Sequence, residues 1–293
     1  MKAEKDPSRF AAVCLEIRDL WFTYGDGQDV LNGISLSIAE GDFVAVIGQN
    51  GSGKTTLAKH FLGLLRPTKG EILLHGERIR DRSVGELARQ VGSVFQNPDH
   101  QIFGTTTWEE IAFGPRNLGL SAEEVERRTV DALERFDLSS EATKPPAMLS
   151  FGQRRKVSLA AVYAMDPHVL ILDEPTNGLD GRGEKEAMEL ARTLNNTGKT
   201  IILVTHRIRL VAEYARSCIL LAGGRVSAYG DTRSVFEQDD LLKSSNIELP
   251  QVWELGRQLA PRGFLQPALS VGDFCQTYGE LLKQTGFRNA GAR

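Results

Sequence analysis

The hydrophobic and polar positions of this chain fall into two patterns. Residues 43–47, 169–172 and 201–204 are short, wholly apolar runs. A strand wet on one face alternates in polarity, so unbroken runs of this length predict strands covered on both faces, as in a parallel sheet. Between the runs, 54–65 and 182–194 have helical composition. Buried strands alternating with helices predict an α/β fold. Ahead of this unit, 13–24 reads as a strand ending in aromatic residues, followed by the turn Gly25-Asp26-Gly27 and a second strand at 34–38. Farther on, 218–222, the turn Gly223-Gly224 and another short strand predict a hairpin.

Residues 97–167 have a different texture and read as a helical insertion. Ser121 followed by Glu124 predicts a capping box, with Val125, Ala132, Leu133 and Phe136 on one apolar face behind it. Lys144-Pro145-Pro146 ends that piece, and Ser150 opens another helix. Residues 1–230 are therefore expected to form the main domain. In 231–293 only short amphipathic pieces remain, at 241–242, 252–259 and 274–282, broken by Pro250, Pro261 and Pro267. They predict a small appended unit.

Composition narrows the function classes. Lys plus Arg number 35 against 38 Asp plus Glu, a net charge of −3, which argues against a dedicated nucleic-acid binder. The longest apolar run, Leu159 to Met165, is seven residues, whereas a membrane-spanning helix needs about 20. The N-terminal residues mix charges without the apolar stretch of a signal peptide. Cys14, Cys218 and Cys275 stand far apart, as reduced thiols of a cytosolic protein do. The 29 glycines of the 293 residues are a slight excess, and several sit where chemistry is expected.

Gly48-Gln49-Asn50-Gly51-Ser52-Gly53-Lys54-Thr55 fits the phosphate-loop pattern G-x-x-x-x-G-K-[ST] without a mismatch, between a buried strand and a helix. Glycines let successive backbone N–H groups turn toward a phosphate, and the following helix adds its positive dipole end. Lys54 would reach the β- and γ-phosphates and the Thr55 hydroxyl would ligate Mg²⁺. Thr56 continues the candidate ATP-binding set. Asp173 and Glu174 end the apolar run 169–172. A phosphate-loop enzyme needs an acid there to hold Mg²⁺, which suits Asp173; Glu174 is placed to accept a proton from attacking water. Ser150, with Phe151, Gly152 and Gln153, opens a helix rich in Arg154, Arg155 and Lys156, whose N-terminal amides are suited to an anion.

Taken together these motifs resemble the ATP-binding cassette (ABC) ATPase family, whose signature is LSGGQ. Here Leu149-Ser150-Phe151-Gly152-Gln153 carries Phe where Gly is usual. The resemblance implies a P-loop, RecA-like, mostly parallel sheet with an N-terminal antiparallel β subdomain, a helical insertion and a small C-terminal unit. It implies ATP and Mg²⁺ as ligands. Tyr24 matches the aromatic that stacks on adenine, with Phe22 and Trp21 as neighbours. Gln96 matches the glutamine that touches Mg²⁺ and senses the membrane partner. Asn177-Gly178-Leu179-Asp180 matches the D-loop, with Gly181 replacing the frequent proline. His206 matches the histidine that contacts the γ-phosphate.

The resemblance further implies head-to-tail pairing of two ATPase subunits, identical or related, in which Ser150, Phe151, Gly152 and Gln153 serve the partner's nucleotide. The stretch from Phe95 to Gly104, followed by Ile111-Ala112-Phe113-Gly114-Pro115, is similar to the energy-coupling factor (ECF) transporter ATPases, including the cobalt and nickel importers. The tail from Asn246 to Phe274 resembles the dimerisation unit of those proteins. These likenesses imply integral membrane partners, a place at the cytoplasmic face of the cell membrane, and uptake of a vitamin or a cobalt or nickel ion. The alternatives are the ATPase of an ordinary ABC transporter and a soluble, non-transport ABC ATPase. The segment between Lys54 and Asp173 carries no sustained heptads, unlike the coiled-coil repair proteins of the family.

Overall fold

The computed structural model describes residues 12–25, 27–260 and 267–284, so Asp26 of the expected turn and Pro261 lie outside the described residues. The chain opens with β1 (Val13–Thr23) and β2 (Asp29–Ala39), an antiparallel pair. The buried β3 (Phe43–Ile47) leads into α1 (Lys54–Phe61). Then come β4 (Lys69–Leu74), β5 (Glu77–Arg78), the short α2 (Val84–Leu87) and β6 (Val91–Val94). The insertion supplies α3 (Thr107–Asn117), α4 (Ala122–Arg135) and α5 (Phe151–Ala164). The chain returns through β7 (Val169–Asp173), α6 (Gly181–Asn196), β8 (Thr200–Val204) and α7 (Ile208–Tyr214). The hairpin β9 (Ser217–Ala222) and β10 (Arg225–Asp231) precedes α8 (Thr232–Phe236), α9 (Asp239–Ser244), α10 (Gln251–Leu259) and α11 (Val271–Gln284).

Two sheets result. One is antiparallel, in the order β2-β1-β4-β5; the other runs β10-β9-β3-β8-β7-β6 and is parallel except for β10. The period of two in β3 shows why an unbroken apolar run was needed. Val44 and Val46 face a core shared with the antiparallel sheet and α1, through Leu57 and Phe61. Phe43, Ala45 and Ile47 face a second core built with the insertion and later helices, including Ala160, Met188 and Val211. β7 and β8 divide their side chains between the same two cores.

Several expectations are adjusted. The helix expected over 54–65 stops at Phe61, and the second strand starts at Asp29, earlier than its apolar residues indicated. β4 and β6 carry Gly70 and Gly92, which interrupt the pattern by which strands are recognised. Ser121 accepts from the Glu124 amide at 3.3 Å as expected, but the Glu124 carboxylate bonds Arg127 and Arg128 rather than closing the box. Those two guanidiniums hold the Glu124 carboxyl down at about 2. Among the described residues beyond Asp231, Phe236, Leu242, Ile247 and Trp253 belong to the second core. Trp253 is buried edge-on to Phe236, with ring centroids 5.7 Å apart. Such ring pairs add about 0.5–1.5 kcal/mol beyond area burial. None of the helices among the described residues is long and apolar enough to cross a membrane.

Candidate nucleotide site

The phosphate loop joins the end of β3 to α1, at the carboxyl edge of the parallel strands. Gly48 has φ 150°, and a Cβ there would lie 2.1 Å from the Leu221 carbonyl oxygen of β9. Any side chain would therefore push the loop off the sheet. Lys54 folds back across the loop and donates to the carbonyls of Gly48 and Gln49, each at 2.8 Å. Burial pulls the Lys54 pKa down, against the opposing pull of Glu174 and Asp173. Ser52 is buried, and its Oγ has no hydrogen-bond partner among the described residues. A buried donor left in this way, inside a loop with glycines at 48, 51 and 53, suits a phosphate oxygen.

β7 brings the carboxylates to the same edge. Thr55 Oγ1 donates to Asp173 Oδ2 at 3.1 Å. Burial pushes the Asp173 carboxyl up, with the Thr55 hydrogen bond working against it. This donor set suits Mg²⁺: a hydroxyl and a carboxylate converge at the loop. Mg²⁺ keeps several waters and takes its remaining ligands from one or two carboxylates and substrate phosphates.

Glu174 follows with a left-handed backbone, φ 46°, and its amide donates to the Val204 carbonyl at 2.8 Å. The end of β8 surrounds its carboxylate. Thr205 Oγ1 donates to Oε2 at 3.0 Å, the His206 amide donates to Oε1 at 3.0 Å, and His206 Nδ1 lies 2.6 Å from Oε1. A carboxylate offers about four lone-pair sites, so these contacts fix its position and leave room for a water. His206 is more than half exposed, whereas Glu174 is buried.

Tyr24 follows β1, 39% exposed, with its hydroxyl 3.3 Å from Thr56 Oγ1 of α1. Phe22 instead lies in the core and meets the Tyr24 ring edge-on at 4.8 Å. Trp21 donates from Nε1 to Asp19 and lies between Lys69 and Arg225. Phe22 and Tyr24 both meet α1, Phe22 through the buried His60 ring at 4.7 Å and Tyr24 through Thr56, but of the three aromatics only Tyr24 is exposed.

Other expected residues lie apart. A cavity of about 1100 Å³ is lined by Gly48, Gln49, Asn50 and His206 together with residues 246–252 of the tail. Another, about 910 Å³, is lined by Ser150, Phe151, Gly152, Gln153 and Asp180. The two linings share no residue. Ser150 caps α5: the Gln153 amide donates to its Oγ at 3.3 Å, and Gln153 Oε1 accepts from the Ser150 amide at 2.9 Å. Asp180 caps α6 by accepting from the Gly183 amide at 2.7 Å. Gln96 is exposed, and its carbonyl accepts from Arg155. The sequence alone does not single out Arg155 or Gln101, which brace the Gln96 segment. Gln101 accepts from the Phe95 amide at 3.2 Å and donates to the Ser93 carbonyl at 3.3 Å. Arg155 stands in a basic helical run that reads as a solvated face, yet it is buried.

A phosphate loop after β3, a histidine beyond the adjacent β8 and a carboxylate pair at the end of β7, on the far side of β8, define a P-loop ATPase. A family model described as ABC transporter matches residues 31–177. The energy-coupling factor transporter ATP-binding protein EcfA of Methanocaldococcus jannaschii is 44% identical over 82% of this chain and 87% of its own length. An ABC transporter ATP-binding protein of Caldanaerobacter subterraneus is 42% identical over 85% of this chain, which spans only 44% of that longer protein. Among solved structures, cbiO1 of Clostridium perfringens, part of the transporter complex cbiONQ, superposes with a TM-score of 0.72 at 36% identity, covering 83% of this chain and 98% of that one. A dimeric ATP-binding cassette in a post-hydrolysis state with ADP and Pi superposes with a TM-score of 0.68 at 29% identity, covering 75% of this chain and 99% of that one. The chain belongs to the ABC transporter ATP-binding family, and within it resembles the ECF-type ATPases.

Proposed function

We propose that this chain is the ATP-hydrolysing subunit of an ECF-type membrane importer, working in a pair of cassettes that share two composite nucleotide sites. The observation that carries the hydrolytic assignment is the convergence of Lys54, Thr55, Asp173, Glu174 and His206 at one sheet edge. Tyr24 stacks on the base. The loop amides from Gly48 to Thr56 and Lys54 hold the phosphates, and Lys54 exchanges its two carbonyl partners for phosphate oxygens. Thr55 and Asp173, with Gln96 from the neighbouring strand end, would hold Mg²⁺. Held there, Mg²⁺ would supply positive charge that offsets the charge developing on the phosphates. Glu174, fixed through Thr205 and the His206 amide, orients the attacking water and takes its proton. His206 steadies Glu174 and contacts the γ-phosphate.

The second half of each site is supplied in trans, by Ser150, Phe151, Gly152, Gln153 and Asp180 of the other subunit. Supporting this, these residues line a separate cavity and their polar groups are satisfied within their own helix caps. Residues 231–293 act as the accessory unit that favours pairing.

The ECF reading rests on the likeness to EcfA and cbiO1 and on the surface beside Gln96. Phe103 is 63% exposed and meets the exposed Phe113 edge-on at 4.5 Å, in the segment whose sequence resembles the ECF transporter ATPases. Exposed apolar rings grouped in this way mark protein contact sites. We expect the chain to co-purify with an integral membrane protein from detergent extract. Phe103→Asp should abolish that association while leaving ATP affinity unchanged. A soluble dimer indifferent to membrane proteins would favour the non-transport alternative. The imported substrate, a water-soluble vitamin or a cobalt or nickel ion, is set by the membrane partner.

A further inference from the structure

We propose that Phe151 and Arg155 form a positioning unit that ties the D-loop to the segment around Gln96, called the Q-loop, within one subunit, so that the two loops shift together. This goes beyond the transport reading and holds whatever is transported. Phe151 stands where the family pattern has a glycine, so its ring adds contacts that a glycine lacks. One side of the ring rests on Gly178 of the D-loop. Gly178 has φ 77°, and a Cβ built there would lie 2.7 Å from Phe151 Cε1 and 3.2 Å from Cδ1 and Cζ. Ring and backbone are thus in direct contact, and the D-loop position must stay unsubstituted for the ring to fit.

The Arg155 guanidinium lies 5.8 Å from the centre of the same ring. Arg155 is only 1% exposed, and its two terminal nitrogens donate to the carbonyls of Phe95 and Gln96. Burying a guanidinium is costly unless its donors are satisfied. Here two Q-loop carbonyls take the terminal nitrogens, the ring lies beside the guanidinium, Asp173 supplies favourable charge, and Nε has no partner among the described residues. A displacement of the Q-loop moves those carbonyls, hence the guanidinium, hence the ring seated on Gly178. Each link is a ring contact, a packed contact or a hydrogen bond.

The test is amide hydrogen exchange followed by mass spectrometry on the full chain, reading peptides that cover 94–100 and 175–182. Phe151→Ala should speed exchange in both segments by about tenfold, as expected for lost local protection, without changing β3 or β7. Arg155→Lys, which keeps the charge but loses the fork of donors, should loosen the same two segments. The double variant should be no looser than either single one, because both remove the same connection. Phe151→Tyr should restore protection. Loosening confined to 175–182 in Phe151→Ala, confined to 94–100 in Arg155→Lys, or additive in the double variant would overturn the proposal. If Phe151→Ala does not fold, Phe151→Leu takes its place under the same criteria.

Discussion

The phosphate-loop edge of the sheet and the signature helix α5 satisfy their polar groups in opposite ways. Around Lys54 the groups are buried without full compensation. Burial lowers the Lys54 pKa and raises that of Asp173, Ser52 Oγ has no partner among the described residues, and Lys54 spends its donors on the loop's own carbonyls. At Ser150 and Gln153 the caps are closed within the helix and the residues face an open cavity. The first region keeps buried polar groups, Ser52 Oγ among them, without a protein partner among the described residues. The second is complete in itself and presents a surface. That difference is what a site assembled between two subunits requires: one half organised by nucleotide, the other preorganised to receive it.

The largest effect should come from the phosphate-loop half. Glu174→Gln removes the proton acceptor but keeps the hydrogen-bonding shape, so ATP binding should persist while turnover falls by about 10²–10⁴-fold, read as steady-state phosphate release. Wild-type turnover would assign the base elsewhere. A smaller loss is expected from Tyr24→Ala, which should weaken ATP affinity by roughly tenfold, within the 1–3 kcal/mol of a base stack, and spare the rate at saturation. Unchanged affinity by titration calorimetry would move the stack to another side chain. The smallest test concerns neither half. Burial raises the Cys14 thiol to about 11 and the Cys218 thiol to about 12, while Cys275 is exposed. Higher pKa means less thiolate at pH 8, so a thiol reagent should modify Cys275 alone in the native protein and all three after unfolding.

The residues proposed to hold phosphate were readable because their chemistry dictates local sequence. A loop of inward amides needs glycines at fixed spacing, and an acid at the sheet edge must follow an apolar run. The α/β plan was readable for a related reason: strands covered on both faces leave no polar position, as in Phe43–Ile47. What the sequence concealed depends on tertiary burial. Arg155 has the local pattern of a solvated helix face, and only its contact with the Phe95 and Gln96 carbonyls makes it a core residue. β6 is four residues with Gly92 and Ser93 in the middle, a strand made by its neighbour β7 rather than by its own propensity. Glu124 had two competing partners, and nearby arginines outcompeted the Ser121 amide. Phe151 read as a departure at a glycine position; its contact with Gly178 appears only once α5 and the D-loop are brought together.

The composite site is tested most directly by mixing two inactive variants. Lys54→Ala disables the phosphate loop and Ser150→Arg disables the signature, so each variant alone should lack turnover. In a one-to-one mixture, mixed dimers place the intact phosphate loop of one subunit against the intact signature of the other. ATPase activity should then recover to roughly a quarter of wild type, for random two-fold pairing with independent sites. No recovery from mixtures shown to contain mixed dimers would mean that each subunit uses its own signature, and the account would be wrong.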